Sequence, residues 1–156
     1  MASASDPRPR VLIDSSVLLA GSPSSTGTAR DLLLAGVRGD ILRFVSPLVP
    51  AETERNLHRK APAGLPAFRE FRQLLEQHLV DPPTVLVLQV AQHIEIKDAP
   101  IVAAAIVARA SHLVTFDRKH LLSHAALIKH HYHIETVIPD VVLGLRSPDL
   151  LQRPDG

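Results

Sequence analysis

Residues 111–122, SHLVTFDRKHLL, decide how this chain is read. His112, Leu113, Val114, Thr115 and Phe116 form an apolar run with no polar alternation. Asp117 then ends the run, with Arg118, Lys119 and His120 directly behind it. A strand that is apolar throughout has both faces covered, as in a parallel sheet packed between helices. A turn accounts for polarity at 117–120, but it does not by itself require an acid there.

Working outward, the same alternation of short apolar runs and helical patterns recurs. DAPIVAAAIVARA (98–110) reads as a helix leading into this strand. RVLIDSS (10–16), ILRFVSP (41–47), TVLVLQV (84–90) and HIETVIP (133–139) read as further strands, giving five in all. GTARDLLLAGVRGD (27–40) is a helix stopped by glycine, and VPAETERNLHRK (49–60) is another. LPAFREFRQLLEQHLV (65–80) is amphipathic, with Phe68, Phe71, Leu74, Leu75 and Leu79 on one face. DVVLGL (140–145) adds a closing helical turn. The expectation is an α/β fold, a three-layer α/β/α sandwich with a central, mostly parallel five-stranded sheet. Residues 1–9 read as an N-terminal arm, 10–146 as the domain and 147–156 as a tail.

The composition fits one such domain. The chain has 156 residues, 46% hydrophobic and 21% charged, so it can bury a sizeable core. Only 3% are aromatic, so that core is aliphatic. A net charge of +1 gives no global field toward nucleic acid or membrane, and any basic patch must be local. With no cysteine, disulfides and thiolate zinc sites are excluded. The opening MASASDPRPR has no apolar core of a secretory signal, and APIVAAAIVARA is too short to span a bilayer. A cytoplasmic protein is the expectation.

In parallel sheets, ligands bind beyond the carboxyl ends of the strands, so the residues there are read individually. Asp14 ends the first strand, with Ser15 and Ser16 behind it. Asp117 ends the fourth, Asp98 opens the helix before it, and Glu52 lies early in the helix after the second strand. Each has a plain structural reading. Asp98 before Ala99-Pro100 suits a helix cap, Asp14 and Asp117 suit turns, and Glu52 and Glu54 suit a helix N-terminus. Together at one edge they would repel one another unless a cation neutralised them. An all-oxygen set suits Mg²⁺ or Mn²⁺. Arg55, Arg59 and Lys60, with Arg69 and Arg72 on the next helix, would hold phosphates if grouped near the acids, and otherwise form a scattered solvated face. Arg118 and Lys119 have the same choice between phosphate contact and a solvated helix start. KHHYHIE (129–135) offers His130, His131 and His133, read as a surface loop entering the last strand. The phenylalanines read as internal, with Tyr132 the one surface aromatic. GSPSSTG (21–27) lacks the lysine of a phosphate loop.

VLIDSSVLLAG (11–21), SPLVPAETERNL (46–57) and KDAPIVAAAIVARASHLVTFDRKHLL (97–122) together resemble the PIN domain family. That family includes many bacterial ribonuclease toxins of toxin–antitoxin pairs. The resemblance covers nearly all of residues 10–146, and its last segment is the most specific. It implies a parallel sheet between helices and a nuclease that uses divalent metal. It places the family's acids on Asp14, Glu52, Asp98 and Asp117, with Glu54 the rival of Glu52. Ser16 stands where a small polar residue supports the first acid. Arg118, Lys119 and His120 stand where some members carry a fifth acid, which leaves one or two metal ions open. The implied substrate is single-stranded RNA, cut to a 5′-phosphate and a 3′-hydroxyl. An antitoxin protein and a homodimer are the implied partners. The alternative is a catalytically weak PIN-like module held by a partner protein.

Overall fold

A computed structural model of the chain describes residues 6–22, 27–75 and 78–145. The elements run β1 (Arg10–Ile13), α1 (Ser15–Gly21), α2 (Thr28–Arg38), β2 (Leu42–Phe44), α3 (Leu48–Lys60) and α4 (Leu65–Leu75). They continue with α5 (Thr84–Val90), α6 (Ala99–Val107), β3 (His112–Val114), α7 (Ala125–Tyr132), β4 (Glu135–Val137) and α8 (Pro139–Leu145). The four strands lie in the order β2-β1-β3-β4, and every pairing is parallel.

The strands alternate in the direction each residue faces, and both directions are buried. Val11 and Ile13 of β1 pack with apolar residues of α1, α2, α3, α4 and α8. Leu12, between them, packs with α5, α6 and α7 on the other face. Hence the absence of polar alternation, and hence three layers. The alanines of α6 serve the same end. Ala103, Ala104 and Ala105 are fully buried, and their small side chains let the helix lie close to the sheet. Helix α2 stops where glycine was expected to stop it, because Gly39 takes φ 81°, where an L side chain is strained.

The run TVLVLQV is a helix, so the sheet has four strands, not five. A short apolar run is compatible with a strand or a packed helix, and periodicity alone does not separate them. Tertiary context decides it here. Just upstream, Leu79 forms a single parallel bridge with Val45 beyond the end of β2, using the Val45 N–H to His78 O and the Val80 N–H to Val45 O. Pro82 and Pro83 follow, and proline has no N–H with which to extend a ladder. The chain leaves the sheet and turns helical at Thr84, laying Leu86, Val87 and Val90 against the α6 side of the core.

Two further expectations change. Among the described residues α4 ends at Leu75; Phe68, Phe71 and Leu75 are buried, whereas Leu74 and Leu79 are each 42% exposed. His130 and His131 belong to α7, and His133 ends that helix at φ 58°, so the segment expected as a loop is the last turn of a helix. Residues 1–5 of the arm and the tail at 147–156 lie outside the described residues. Residues 6–9 are tied down: the Leu42 N–H donates to Pro9 O, and Arg8 donates to Gly39 O. Among the described residues, no helix is long and apolar enough to cross a membrane.

Candidate metal centre

The register of β1 on β3 builds the site. Ile13 pairs with Val114, and the Asp14 N–H donates to Val114 O, so the residues just past both strands are side by side. Thr115 Oγ1 donates to Asp14 Oδ2 at 2.8 Å, and Ser16 Oγ donates to the same oxygen at 2.8 Å. Each hydroxyl also accepts from the loop beyond β3: Phe116 N–H donates to Ser16 Oγ and Asp117 N–H to Thr115 Oγ1, both at 2.9 Å. Two hydroxyls, that of Thr115 buried and that of Ser16 half-buried, thereby lock the backbone carrying Asp117 to the carboxylate of Asp14.

Asp14, Glu52, Asp98 and Asp117 line one cavity of about 570 Å³ at the carboxyl end of the sheet. Glu52 reaches it from α3, one helical turn before Asn56, which lines it too. Glu54 lies on another face of α3, where it accepts from Arg72 at 2.5 Å. Asp117 stands three residues past the end of β3 rather than on it, because β3 closes at Val114. Its Oδ1 accepts the His120 N–H at 3.0 Å, so it also serves the turn. The plain reading of Asp98 does not hold. Asp98 occupies the cap position of α6, but its side chain makes no capping hydrogen bond.

Instead, Asp98 Oδ2 is buried without a hydrogen-bond partner. Burial pushes its carboxyl above the ordinary range; the charges of Lys97 and His120 pull the other way, and those of Asp117 and Glu95 push it further up. A buried carboxylate oxygen with no donor is costly, and a cation is what would satisfy it. The donors are hard oxygens, so the set fits a divalent ion such as Mg²⁺ or Mn²⁺. Among the described residues, ligand atoms of Glu95, Asp98 and His120 all lie within 4.8 Å of one another. Asp14, Glu52 and Asp117 line the cavity around Asp98.

The cation lining this cavity, Lys97, is not among those singled out in sequence. Lys97 and His120 line it, with Lys97 Nζ 2.9 Å from His120 Nε2. Arg118 and Lys119 are exposed and outside its lining, Arg59 bonds Asn56, and Arg55 lines a different cavity. Phe116 is 36% exposed and lines the acid cavity, so Tyr132 is not the one aromatic outside the core. Sequence reasoning missed Thr115, Asn56, Lys97 and Glu95. Only Asn56 had a signal, its spacing of four from Glu52 on a helix.

The PIN domain sequence model matches residues 10–119, which hold all four acids. The chain belongs to the PIN domain family. Members of this family are generally nucleases and typically depend on divalent metal. Among solved structures, the PIN fold seen here is similar to that in the crystal structure of PAE2754 from Pyrobaculum aerophilum. The TM-score is 0.62 at 18% identity, covering 89% of this chain and 90% of that one, a likeness of fold. Comparison with curated proteins gives no match.

Proposed function

We propose that this PIN domain is a metal-dependent endoribonuclease that hydrolyses single-stranded RNA. The observation that carries the reading is the buried, unpartnered Asp98 Oδ2 in a cavity also lined by Asp14, Glu52 and Asp117. These four residues would hold one or two Mg²⁺ or Mn²⁺ ions. When bound, the metal polarises the scissile phosphate and lowers the pKa of the attacking water.

The chain's own groups supply the rest. The hydroxyls of Ser16 and Thr115 orient Asp14 and fix its distance from Asp117. Such partners behind a ligand govern its orientation and basicity. Lys97 offsets the charge of a phosphate entering the cavity. Phe116 offers a face on which a neighbouring base stacks, a contact that does not depend on sequence. Cleavage leaves a 5′-phosphate and a 3′-hydroxyl. In its biological setting the enzyme is the toxin of a toxin–antitoxin pair, which a small antitoxin reading frame beside its own would support.

The test uses chelator-treated protein and a labelled single-stranded RNA. Cleavage should be absent with chelator, return with Mn²⁺ or Mg²⁺, and be lost in Asp14→Asn and Asp117→Asn. Combining the two should cost little more than either alone, because groups acting as a unit are not additive. Parent-like cleavage by both variants would remove the nuclease reading and favour a module held by a partner protein.

A further inference from the structure

Helix α3 separates the acid cavity from a second one. Glu52 and Asn56 line the first, whereas Glu54, Arg55 and His58 line the second, a groove of about 410 Å³ completed by Arg69 and Arg72 of α4. At 3.6 residues per turn the two sets centre roughly 130° apart around α3. Glu54 is already held by Arg72 at 2.5 Å, a pair that ties α3 to α4. Arg55 and Arg69 are exposed and form no ion pair among the described residues. Among the described residues, Arg55 and Arg69 thus add two guanidinium groups to the groove beside the Glu54–Arg72 pair, in a chain whose net charge is only +1.

We propose that this groove is a second phosphate site, which takes the backbone of the RNA strand whose scissile bond lies in the acid cavity. The proposal rests on the ribonuclease reading for its ligand. Two features favour RNA over an acidic peptide. The groove shares α3 with the acid cavity, so a strand leaving that cavity across one helix width, about 10 Å, arrives at Arg55 and Arg69. Planar guanidinium forks match phosphate oxygens two at a time, and phosphate contact supplies most sequence-independent affinity. The consequence is a length requirement: an RNA that fills only the acid cavity gains nothing from the groove.

The experiment measures binding of fluorescent single-stranded RNA to the full chain in chelator, at several salt concentrations. Two lengths, about 16 and about 4 nucleotides, bracket known single-strand site sizes. The parent should prefer the longer RNA. Arg55→Ala/Arg69→Ala should lose about tenfold or more of that affinity, with little change for the shorter RNA. Its salt slope should fall by about 1.4, from two contacts at about 0.7 each. Arg55→Lys/Arg69→Lys should keep the slope, because it keeps the charge. If the alanine variant melts early, Arg55→Gln/Arg69→Gln takes its place. Unchanged affinity and slope in a folded variant would overturn the proposal. So would binding of polyglutamate, but not RNA, that is lost in the same variant; that result would make the groove a protein-docking site. Cleavage of the longer RNA by the parent with Mn²⁺ reads the acid cavity separately. Its absence with groove binding intact would sink the ribonuclease reading and leave the phosphate site standing.

Discussion

Thr115 joins the residue after β1 to the residue two beyond it in the chain, Asp117. Its hydroxyl donates to Asp14 Oδ2 and accepts the Asp117 N–H, and it is fully buried. Thr115→Val keeps the shape and removes these bonds, leaving the half-buried Asp117 N–H without that acceptor. The expected cost is about 1–3 kcal/mol of stability, measured by urea unfolding. Metal affinity or cleavage should fall by about 10–100-fold as well, as for other partners behind a ligand. Asp98 gives a prediction of opposite sign for stability. Its folded-state pKa is raised, chiefly by burial, so its favourable contribution is full below the unfolded value and is lost as pH rises through the folded one. At neutral pH the metal-free protein therefore carries a buried charge at a cost. Asp98→Asn in chelator should melt at or above the parent near pH 7, the difference closing toward about pH 4. A variant equally destabilised at both pH values would show that the carboxylate carries no such cost.

Among the elements, α2 and α5 show what local sequence does and does not control. The end of α2 is written locally. Gly39 lies at φ 81° and its N–H donates to Gly36 O, while the Asp40 N–H donates to Ala35 O. A side chain at 39 would meet only Arg8 Nη1, at 3.8 Å, so the penalty for adding one is conformational rather than steric. Gly39→Ala should destabilise by about 1 kcal/mol, read as a lower urea midpoint with unchanged slope and unchanged cleavage. Helix α5 is the contrary case. Val85 and Val87 are β-branched and Leu86 and Leu88 apolar, the character of a strand, yet all four are helical. The proline pair before them and the bridge between Leu79 and Val45 took the chain out of the sheet first.

For the whole molecule, the acids at one edge mean that folding and metal binding are linked. Bringing Asp14, Glu52, Asp98 and Asp117 to one cavity costs repulsion that a bound cation removes. A ligand that binds only the folded state, at about a hundredfold above its Kd, stabilises by about 2.7 kcal/mol. For a chain of this size that is a rise in Tm of about 5–10 °C. Scanning with Mn²⁺ against chelator should show the rise in the parent and little of it in Asp98→Asn. Equal melting temperatures in the parent, with no heat of binding, would remove the metal centre.

The sequence by itself determined the layered α/β class, because strands buried on both faces must be apolar at every position, as Val11, Leu12 and Ile13 are. It also located four acids at or near strand and helix ends, since topology carries the ends of parallel strands to one edge. The tertiary structure alone decided the rest. Whether TVLVLQV pairs or turns helical depended on the packing of Leu86, Val87 and Val90 against the α6 side of the core. That Glu52, and not Glu54, lines the cavity depended on the rotation of α3. That Thr115 comes near Asp14, and Lys97 and Glu95 near His120, depended on contacts between segments whose separation in sequence carries no periodic signal.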